Sequence, residues 1–351
     1  MGVVADDVTG SNDIGIMLAK SGCLTHIYAY APGPGENPGL PDSPADIVIL
    51  DTNSRLDRPE DAYRKVHAAT LALKQAGCRQ FFNKTCSVFR GNIGKEFDAM
   101  LDALGLKFAV VVLGFPKNGR TTVEGIHYVH GKKLEESEFR HDPIHPMTRS
   151  SLVEILQGQT RRKVDLITHP TISQGAEALR RRIGAMRHQC GYLILDVADQ
   201  AALATIAQAV ADEPVLCGSS ALGEELPAVW GVPPVREEAL ALTRPAGTGI
   251  LVAAGSLMPQ TAAQIDHLRQ RGVPVFRLDT GRLFDADQGE GEMASLAGTV
   301  AARLGRGDDA LIHTPNEAEA AAASRRAGAV RGLSKTEVSR RVSEAMAEVT
   351  A

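Results

Sequence analysis

Short apolar runs alternate with longer segments of helical periodicity along most of the 351-residue chain. Strands buried in parallel sheets are continuous apolar runs, whereas helices place apolar residues three or four positions apart. Strands are predicted over residues 2–5, 24–30, 46–51, 80–83, 108–113, 164–167, 192–196 and 214–216. Helical patterns fill most of the gaps, for example over 59–76, 94–104, 175–188 and 199–211. This alternation predicts an α/β fold, a mainly parallel sheet with helices on both faces.

Two stretches interrupt the alternation. Residues from about 115 to 151 are rich in Pro, Gly, His and Arg and predict a long loop, which inside a compact domain is usually functional. A proline-rich stretch without periodicity predicts a linker over 229–247. The chain is therefore expected to form a first domain over 1–228 and a second α/β domain over 248–351.

The second domain is predicted to be small. Its strands are expected over 249–253, 273–277 and 310–314. Its last helix begins at Ser334, which forms a capping box with Glu337. The helix carries an apolar stripe at Val338, Val342, Met346 and Val349. Such a stripe needs a sheet to cover, and because only three strands precede it, the domain is expected to be C-terminally incomplete.

Composition and charge limit the class of protein. Hydrophobic residues make up 44% and charged residues 23%, as is ordinary for a globular protein. No apolar run reaches the roughly 18 residues of a membrane span, and no signal-peptide pattern is present. Five scattered cysteines without a CxxC pair predict reduced thiols, so a cytoplasmic location is expected. With a net charge of −4, neither nucleic acid nor a membrane is expected as a partner.

The first candidate site is the motif ADDVTGSNDIG, in which Asp6 and Asp7 follow the first predicted strand. Side chains at the carboxyl end of a strand line the binding crevice of an open α/β sheet. Adjacent carboxylates repel each other and need water or partners. The alternative is a solvated turn in which Asp7 or Ser11 caps the following helix.

Two arginines also follow predicted strands. Arg55 comes after the run ADIVIL, and its planar guanidinium suits a carboxylate or a phosphate. The alternative is a surface arginine paired with Asp57 or Glu60. Arg120 lies among small polar residues in FPKNGRTT, again directly after an apolar run.

The segment NKTCSVFRGNIG is a more specific candidate. Lys84 and Arg90 flank a polar turn, and Gly91 and Asn92 open the next helix. Two cations beside exposed backbone N–H groups at a helix start predict an anion-binding site. Cys86 lies between the cations, which would lower its pKa, but no histidine nearby in sequence could serve as its base.

Four histidines of the long stretch raise the alternative of a zinc site, namely His127, His130, His141 and His145. Prolines interrupt any helical period there, and the sequence contains neither HExxH nor paired cysteines. No metal-binding residues are therefore predicted from the histidines.

The second domain contains a weaker candidate. Gly255 and Ser256 follow the strand GILVAA and lead to a helix that includes Thr261. A strand, a Gly-Ser turn and a helix N-terminus together suit a phosphate. The sequence has no Walker A motif and no GxGxxG after a strand, so a P-loop enzyme or a dinucleotide-binding domain is not expected.

Taken in order, these segments resemble the four-carbon acid sugar kinase family. The matching stretches span nearly the whole chain: ADDVTGSNDIG, DTNSR, NKTCSVFRGNIGKEFDAML, FPKNGRTTVEGIHYVHGKKL, DPIHP, CGSSALGEELP and AAGSLMPQTAAQI. The resemblance implies ATP-dependent phosphorylation of the terminal hydroxyl of an acid such as threonate, erythronate or 3-oxo-tetronate. It implies a sugar-acid-binding first domain, a nucleotide-binding second domain and an active site in the cleft between them, with Mg²⁺ as a cofactor.

By this resemblance, the substrate site is lined by Asp6, Asp7, Arg55, Lys84, Arg90, Gly91, Asn92 and Arg120, and the ATP site by Gly255, Ser256 and Thr261. Asp7 or Asp6 is the candidate for the base that accepts the hydroxyl proton or for a Mg²⁺ contact, and the sequence does not separate these roles. A homo-oligomer is left open.

The sequence departs from the family pattern in two places. Cys86 stands where the family usually has an aspartate, which changes the charge of the expected substrate pocket. The family's second domain continues into a further strand and a glycine-rich GG-D/E-T turn that this sequence lacks. The alternative to a kinase is therefore a non-catalytic or truncated sugar-acid-binding protein on the same scaffold.

Overall fold

The computed structural model describes residues 1–30, 32–33, 39–40, 44–142, 144–233, 247–285 and 288–351. The chain forms two compact units, Met1–Ala239 (unit 1) and Leu240–Ala351 (unit 2). Most of the predicted linker over 229–247 lies outside the described residues.

The strands of unit 1 alternate with helices along the chain. They are β1 (Gly2–Ala5), β2 (Thr25–Ala29), β3 (Ile47–Asp51), β4 (Phe81–Lys84), β5 (Ala109–Val112), β6 (Arg120–Val123), β7 (Ile126–Val129), β8 (Lys132–Lys133), β9 (Val164–Ile167), β10 (Tyr192–Leu195) and β11 (Val215–Gly218). Among the described residues, eight of them form one parallel sheet in the order β2-β3-β1-β4-β11-β5-β10-β9. Each predicted strand is present, with ends shifted by no more than two residues.

Helices cover both faces of this sheet. They are α1 (Val8–Lys20), α2 (Pro59–Gln75), α3 (Ile93–Leu104), α4 (Leu152–Gln157), α5 (His169–Ile172), α6 (Ala176–Met186), α7 (Gln200–Val210) and α8 (Ala221–Val229). On one face, Val3 belongs to a buried cluster with Ile14 and Leu18 of α1. On the other face, the ring of Tyr192 lies 5.8 Å from that of Phe97 on α3. Side chains alternate between the faces of a strand, so the core has two layers.

The long loop expected between about 115 and 151 is instead largely structured, and that prediction was wrong. Strands β6, β7 and β8 form a small antiparallel sheet. Glu124 and Gly125 turn the chain with φ of 53° and 73°, as a two-residue hairpin turn requires. The Asp196 carboxylate accepts from both of their backbone N–H groups, at 2.7 and 2.9 Å. Strands this short carry too little periodicity to be seen in the sequence.

Unit 2 has the three predicted strands, β12 (Leu251–Ala254), β13 (Val275–Arg277) and β14 (Ala310–His313), paired in parallel in the order β12-β14-β13. Its helices are α9 (Pro259–Gln270), α10 (Gly289–Leu304), α11 (Ala318–Val330) and α12 (Lys335–Thr350). Ser334 and Glu337 form the predicted capping box. The stripe of α12 packs into a buried cluster with Ile312 of β14. None of the helices described in either unit is long and apolar enough to cross a membrane.

Candidate functional site

The carboxyl ends of three neighbouring strands bring the first candidate residues together. Strand β1 lies between β3 and β4, so Asp6, Arg55 and Lys84 meet at one edge. The Arg55 guanidinium binds both oxygens of Asp6, with Nε–Oδ2 and Nη2–Oδ1 distances of 2.7 Å. Its Nη1 donates to Asp7 Oδ2. Asp57, the alternative partner of Arg55, instead pairs with Lys65 at 2.6 Å.

The two aspartates have different environments. Asp6 is 2% exposed and both of its oxygens are bound by Arg55. Asp7 keeps 23% of its side chain exposed, and its Oδ1 caps α1 by accepting from the Gly10 N–H at 2.7 Å. Burial alone would lower the pKa of Arg55, but the attraction of Asp6 outweighs it and raises that pKa. Asp7 thus caps the helix, as the alternative interpretation expected, but the turn is not simply solvated because Asp6 is buried in the charged cluster. A role of the two aspartates in binding stays a prediction.

Lys84 lies beside this cluster, with 4% of its side chain exposed. Its Nζ lies 4.0 Å from Asp13 Oδ2, which also accepts from Ser220 Oγ. A methyl group at Gly10 would lie 3.0 Å from Lys84 Nζ and 2.6 Å from Asp7 Oδ1, so a larger residue there would displace these groups. The sequence analysis missed Asp13 and Ser220, although each lies in a motif that follows a strand.

A buried polar network surrounds Ser54, the residue before Arg55. Ser54 Oγ donates to Glu96 Oε1 at 2.8 Å and lies 2.8 Å from Thr52 Oγ1. Burial, together with the nearby charge of Asp6, raises the pKa of Glu96 well above its ordinary value. Sequence analysis missed Glu96 because an acidic residue in the first turn of a helix is expected on dipole grounds alone.

Asn92 and Gly91 contact the loop after β3, which carries Arg55. The Asn92 side-chain amide donates to the carbonyls of Ser54 and Asp57, at 3.2 and 2.9 Å. Gly91 has φ of 104°, and a methyl group on it would lie 3.0 Å from Arg55 Cγ. The amide nitrogen of Asn92 thus holds the backbone that carries Arg55, and a ligand contact by Asn92 stays a prediction.

A second group of cations consists of Arg90, in the loop after β4, and Arg120, the first residue of β6. Arg90 Nη1 lies 2.7 Å from Asp142 Oδ2, and Arg90 Nε donates to Cys86 Sγ at 3.3 Å. The guanidinium carbons of Arg90 and Arg120 lie 5.2 and 5.9 Å from the ring centroid of Phe139. The two predicted arginines therefore share one aromatic ring.

The titratable groups around Arg90 respond to its charge. Burial would raise the pKa of the Cys86 thiol, but the attraction of Arg90 and Arg55 outweighs it and lowers that pKa. Burial would likewise raise the pKa of Asp142, but hydrogen bonds from the His145 N–H and from Arg90 lower it. Negative charge is therefore favoured at both positions.

Of the four histidines, His127 has a structural explanation. It is fully buried, with Nδ1 3.0 Å from Thr122 Oγ1 and Nε2 2.9 Å from the Ser87 carbonyl. Burial lowers its pKa to about 4. Within the described part of the chain, no three His, Cys, Asp or Glu residues are arranged to hold a metal ion.

The candidate residues of unit 2 lie at an open junction between β12 and α9. Gly255 and Ser256 are exposed, and a methyl group on Gly255 would meet nothing within 4 Å. Ser256 Oγ accepts from the Met258 N–H at 3.2 Å, which shapes the turn. Thr261 lies in the first turn of α9, which begins at Pro259. The junction presents backbone and hydroxyl groups but no charge.

Comparisons with known proteins assign a class to each unit. Residues 1–226 match a family model described as a sugar-binding N-terminal domain. Residues 251–351 match one described as a nucleotide-binding C-terminal domain. Fold and matches together define an α/β protein with one domain of each class.

Curated relatives narrow the class. The chain is 36% identical over 338 residues to the 3-oxo-tetronate kinase of Pseudomonas fluorescens, covering 94% of this chain and 76% of the relative. It is 33% identical over 331 residues to the enzyme of the same name from Cupriavidus necator, covering 91% and 74%. The chain therefore belongs to the four-carbon acid sugar kinase family and is a sugar-acid kinase.

Solved structures agree with this fold. A protein of Salmonella typhimurium LT2 has a TM-score of 0.77 and 28% identity, with 99% of this chain and 81% of that chain covered. A Haemophilus influenzae protein has a TM-score of 0.69 and 28% identity, with 100% and 83% covered.

Proposed function

We propose that the protein transfers the terminal phosphoryl group of ATP to the terminal hydroxyl of a four-carbon sugar acid of the 3-oxo-tetronate type. The observation that carries the proposal is the cluster of Asp6, Asp7 and Arg55 beside Lys84 at the carboxyl ends of adjacent parallel strands. A sugar acid presents hydroxyls and one carboxylate, which suit carboxylate acceptors and cations respectively. The curated relatives are named for phosphorylation of such an acid.

Asp7 is the proposed base. Phosphoryl transfer depends mainly on positioning and on charge neutralisation, so a well-placed carboxylate can accept the hydroxyl proton. Asp6 is buried and both of its oxygens are bound by Arg55, whereas Asp7 is partly exposed. Asp6 thus orients Arg55, and Arg55 in turn holds Asp7. Lys84 supplies positive charge beside them.

Magnesium fits the oxygen donors of this region. Mg²⁺ keeps several waters and is usually bound by one or two carboxylates together with substrate phosphates, so a dedicated cage is not needed. Asp13 would hold it, because its side chain is 37% exposed and only one of its oxygens accepts from a described residue. Bound there, the ion would neutralise phosphate charge. Gly255, Ser256 and Thr261 are the proposed contacts of unit 2 with the ATP phosphates.

The proposal is tested by incubating the chain with Mg-ATP and a panel of four-carbon acids, including threonate, erythronate and 3-oxo-tetronate, and following ADP release. Acid-dependent turnover that Asp7→Asn reduces at least about hundredfold, as loss of a catalytic carboxylate should, supports the assignment. Asp266→Asn, on the exposed surface of α9, is the matched control and should leave turnover unchanged.

The alternative, a non-catalytic sugar-acid-binding protein, is the outcome if acids bind in calorimetry without any turnover. The kinase names of the curated relatives do not favour it. The choice of acid, a cytoplasmic location and a homo-oligomer stay predictions from the sequence.

A further inference from the structure

We infer that Phe139 is a positioning residue that holds Arg90 and Arg120 together as the receptor for the substrate carboxylate, while the hydroxyl to be phosphorylated meets Asp7 and Lys84. The inference rests on the proposed function and adds the orientation of the acid in the site. It also assigns a role to an aromatic residue outside the motifs that sequence analysis selected.

The balance of charges separates the two groups. Around Arg55, three carboxylates (Asp6, Asp7 and Asp13) face two cations (Arg55 and Lys84), so this group has an excess of negative charge.

Around Phe139, carboxylates and cations are equal in number. Arg90 pairs with Asp142 beside the Cys86 thiol, and Arg120 is attracted by Glu138. An incoming carboxylate therefore meets less repulsion in the Phe139 group, where Arg120 also has a donor without an acceptor among the described residues, than in the Arg55 group. A neutral hydroxyl, by contrast, suits the carboxylate-rich group.

Phe139 explains how two like charges lie together. Its side chain is 6% exposed, and both guanidinium carbons are within 6 Å of its ring centroid, at 5.2 and 5.9 Å. An aromatic face attracts a cation at this separation, and the attraction is stronger when both partners are removed from water. The ring therefore offsets part of the repulsion between the guanidiniums.

Arg120 depends on the ring more than Arg90 does. Arg90 has hydrogen bonds to Asp142 and Cys86. Arg120 Nη1 donates only to the Asn118 carbonyl, and its buried Nε has no acceptor among the described residues. Burial lowers the pKa of Arg120 and outweighs the attraction of Glu138 and Cys86. Such a guanidinium is held by packing and gains from an incoming anion.

The segment that carries Phe139 is built to fix it. Phe139 lies in a short 3-10 turn, Glu138–His141, and its own N–H donates to the Ser137 hydroxyl that caps the turn. The Phe139 carbonyl accepts from the Met147 N–H at 2.9 Å. Asp142, directly after the turn, pairs with Arg90. One short segment therefore supplies both the ring and the counter-ion of the arginine pair.

The test compares Phe139→Leu, which keeps an apolar side chain but removes the ring, with Phe139→Tyr, which keeps the ring. Each is assayed for turnover with the preferred acid and with the four-carbon polyol that lacks the carboxylate. Phe139→Leu should raise KM for the acid about tenfold with kcat within about twofold, a size that two cation–π contacts of partly buried arginines support. It should leave kcat/KM for the polyol unchanged, and Phe139→Tyr should restore KM for the acid.

Calorimetric binding of the acid, without nucleotide, separates this inference from the proposed function. If the unsubstituted chain binds no four-carbon acid, the proposed function itself fails. If it binds the acid and Phe139→Leu binds it equally well, or loses acid and polyol alike, the positioning role is overturned. Thermal unfolding of each variant confirms that it is folded, and Phe139→Met replaces Phe139→Leu if the latter is not.

Discussion

The junction after β1 and the junction after β12 have the same local plan, a parallel strand followed by a turn and a helix, yet their surroundings differ. All four residues of β1 are buried, and none of the four residues of β12 is. The first junction carries Asp6 and Asp7, which accept hydrogen bonds from the partly buried Arg55. The second carries Gly255 and Ser256 in an exposed turn.

The difference shows that the burial of a junction decides which side chains it can carry without further partners. A charge can stay in the interior only when partners compensate for its lost hydration. The buried Asp6 of the first junction therefore needs the hydrogen bonds of Arg55. An exposed turn needs no compensation and offers mainly N–H and hydroxyl groups. We therefore expect substitutions at the first junction to cost folding stability as well as function, and those at the second to affect binding alone.

The largest effect is expected from Asp6→Ala. This substitution removes the buried carboxylate that binds two nitrogens of the partly buried Arg55, and breaking a buried ion pair costs about 3–5 kcal/mol of unfolding free energy. The matched control is Asp266→Ala, which breaks an exposed pair with Arg269 on α9 and should cost less than about 1 kcal/mol. Chemical denaturation of both variants gives the comparison. Equal losses would remove the proposed contrast between buried and exposed junctions.

A second prediction concerns the pH dependence of stability. It tests a buried histidine of unit 1 that lies away from the junction after β1. Burial lowers the pKa of His127 from 6.5 to about 4. As pH falls, the unfolded chain takes up this proton near pH 6.5, while the folded chain stays neutral until about pH 4. Stability is therefore lost across this window, by roughly 3 kcal/mol in full.

His127→Gln should flatten that dependence, since glutamine does not titrate. Unfolding free energies at pH 7 and pH 4.5 would measure it, with His267→Gln on exposed α9 as the control. If the two variants show the same pH profile as the unsubstituted chain, the buried neutral imidazole is the wrong explanation.

Much of the fold and part of the candidate site were predictable, for a specific reason. Apolar runs locate parallel strands, and their carboxyl ends must share one edge, so the meeting of Asp6, Arg55 and Lys84 follows from the order of elements. Phe139 was not predictable, and Asp142 lay in the matched stretch DPIHP without a predicted role. The two residues lie in and beside a 3-10 turn without periodicity, and only the fold brings them to Arg90.

The third prediction moves to the Phe139 group. Arg90→Ala should weaken acid binding about 10- to 100-fold, because a hydrogen bond to a charged group contributes about 1.5–3 kcal/mol. Nucleotide binding should not change. Arg180→Ala, on the exposed face of α6, is the control. Calorimetry with the preferred acid measures both variants, and near-normal affinity in Arg90→Ala would contradict the site assignment.

The smallest effect is expected at the exposed junction, from Ser256→Ala. Its hydroxyl accepts one backbone N–H in an exposed turn, so its loss leaves no buried group unpaired and should not change the unfolding free energy measurably. If the junction binds ATP phosphates, removal of one neutral hydrogen bond should weaken nucleotide binding by about 1 kcal/mol, or roughly fivefold. Acid affinity should stay the same.

The control is Ser295→Ala at an exposed position of α10, and calorimetry with ATP measures the effect. Unchanged nucleotide affinity in a chain that binds ATP would place the phosphates elsewhere in unit 2, whereas a large loss of stability would show that the turn is structural after all.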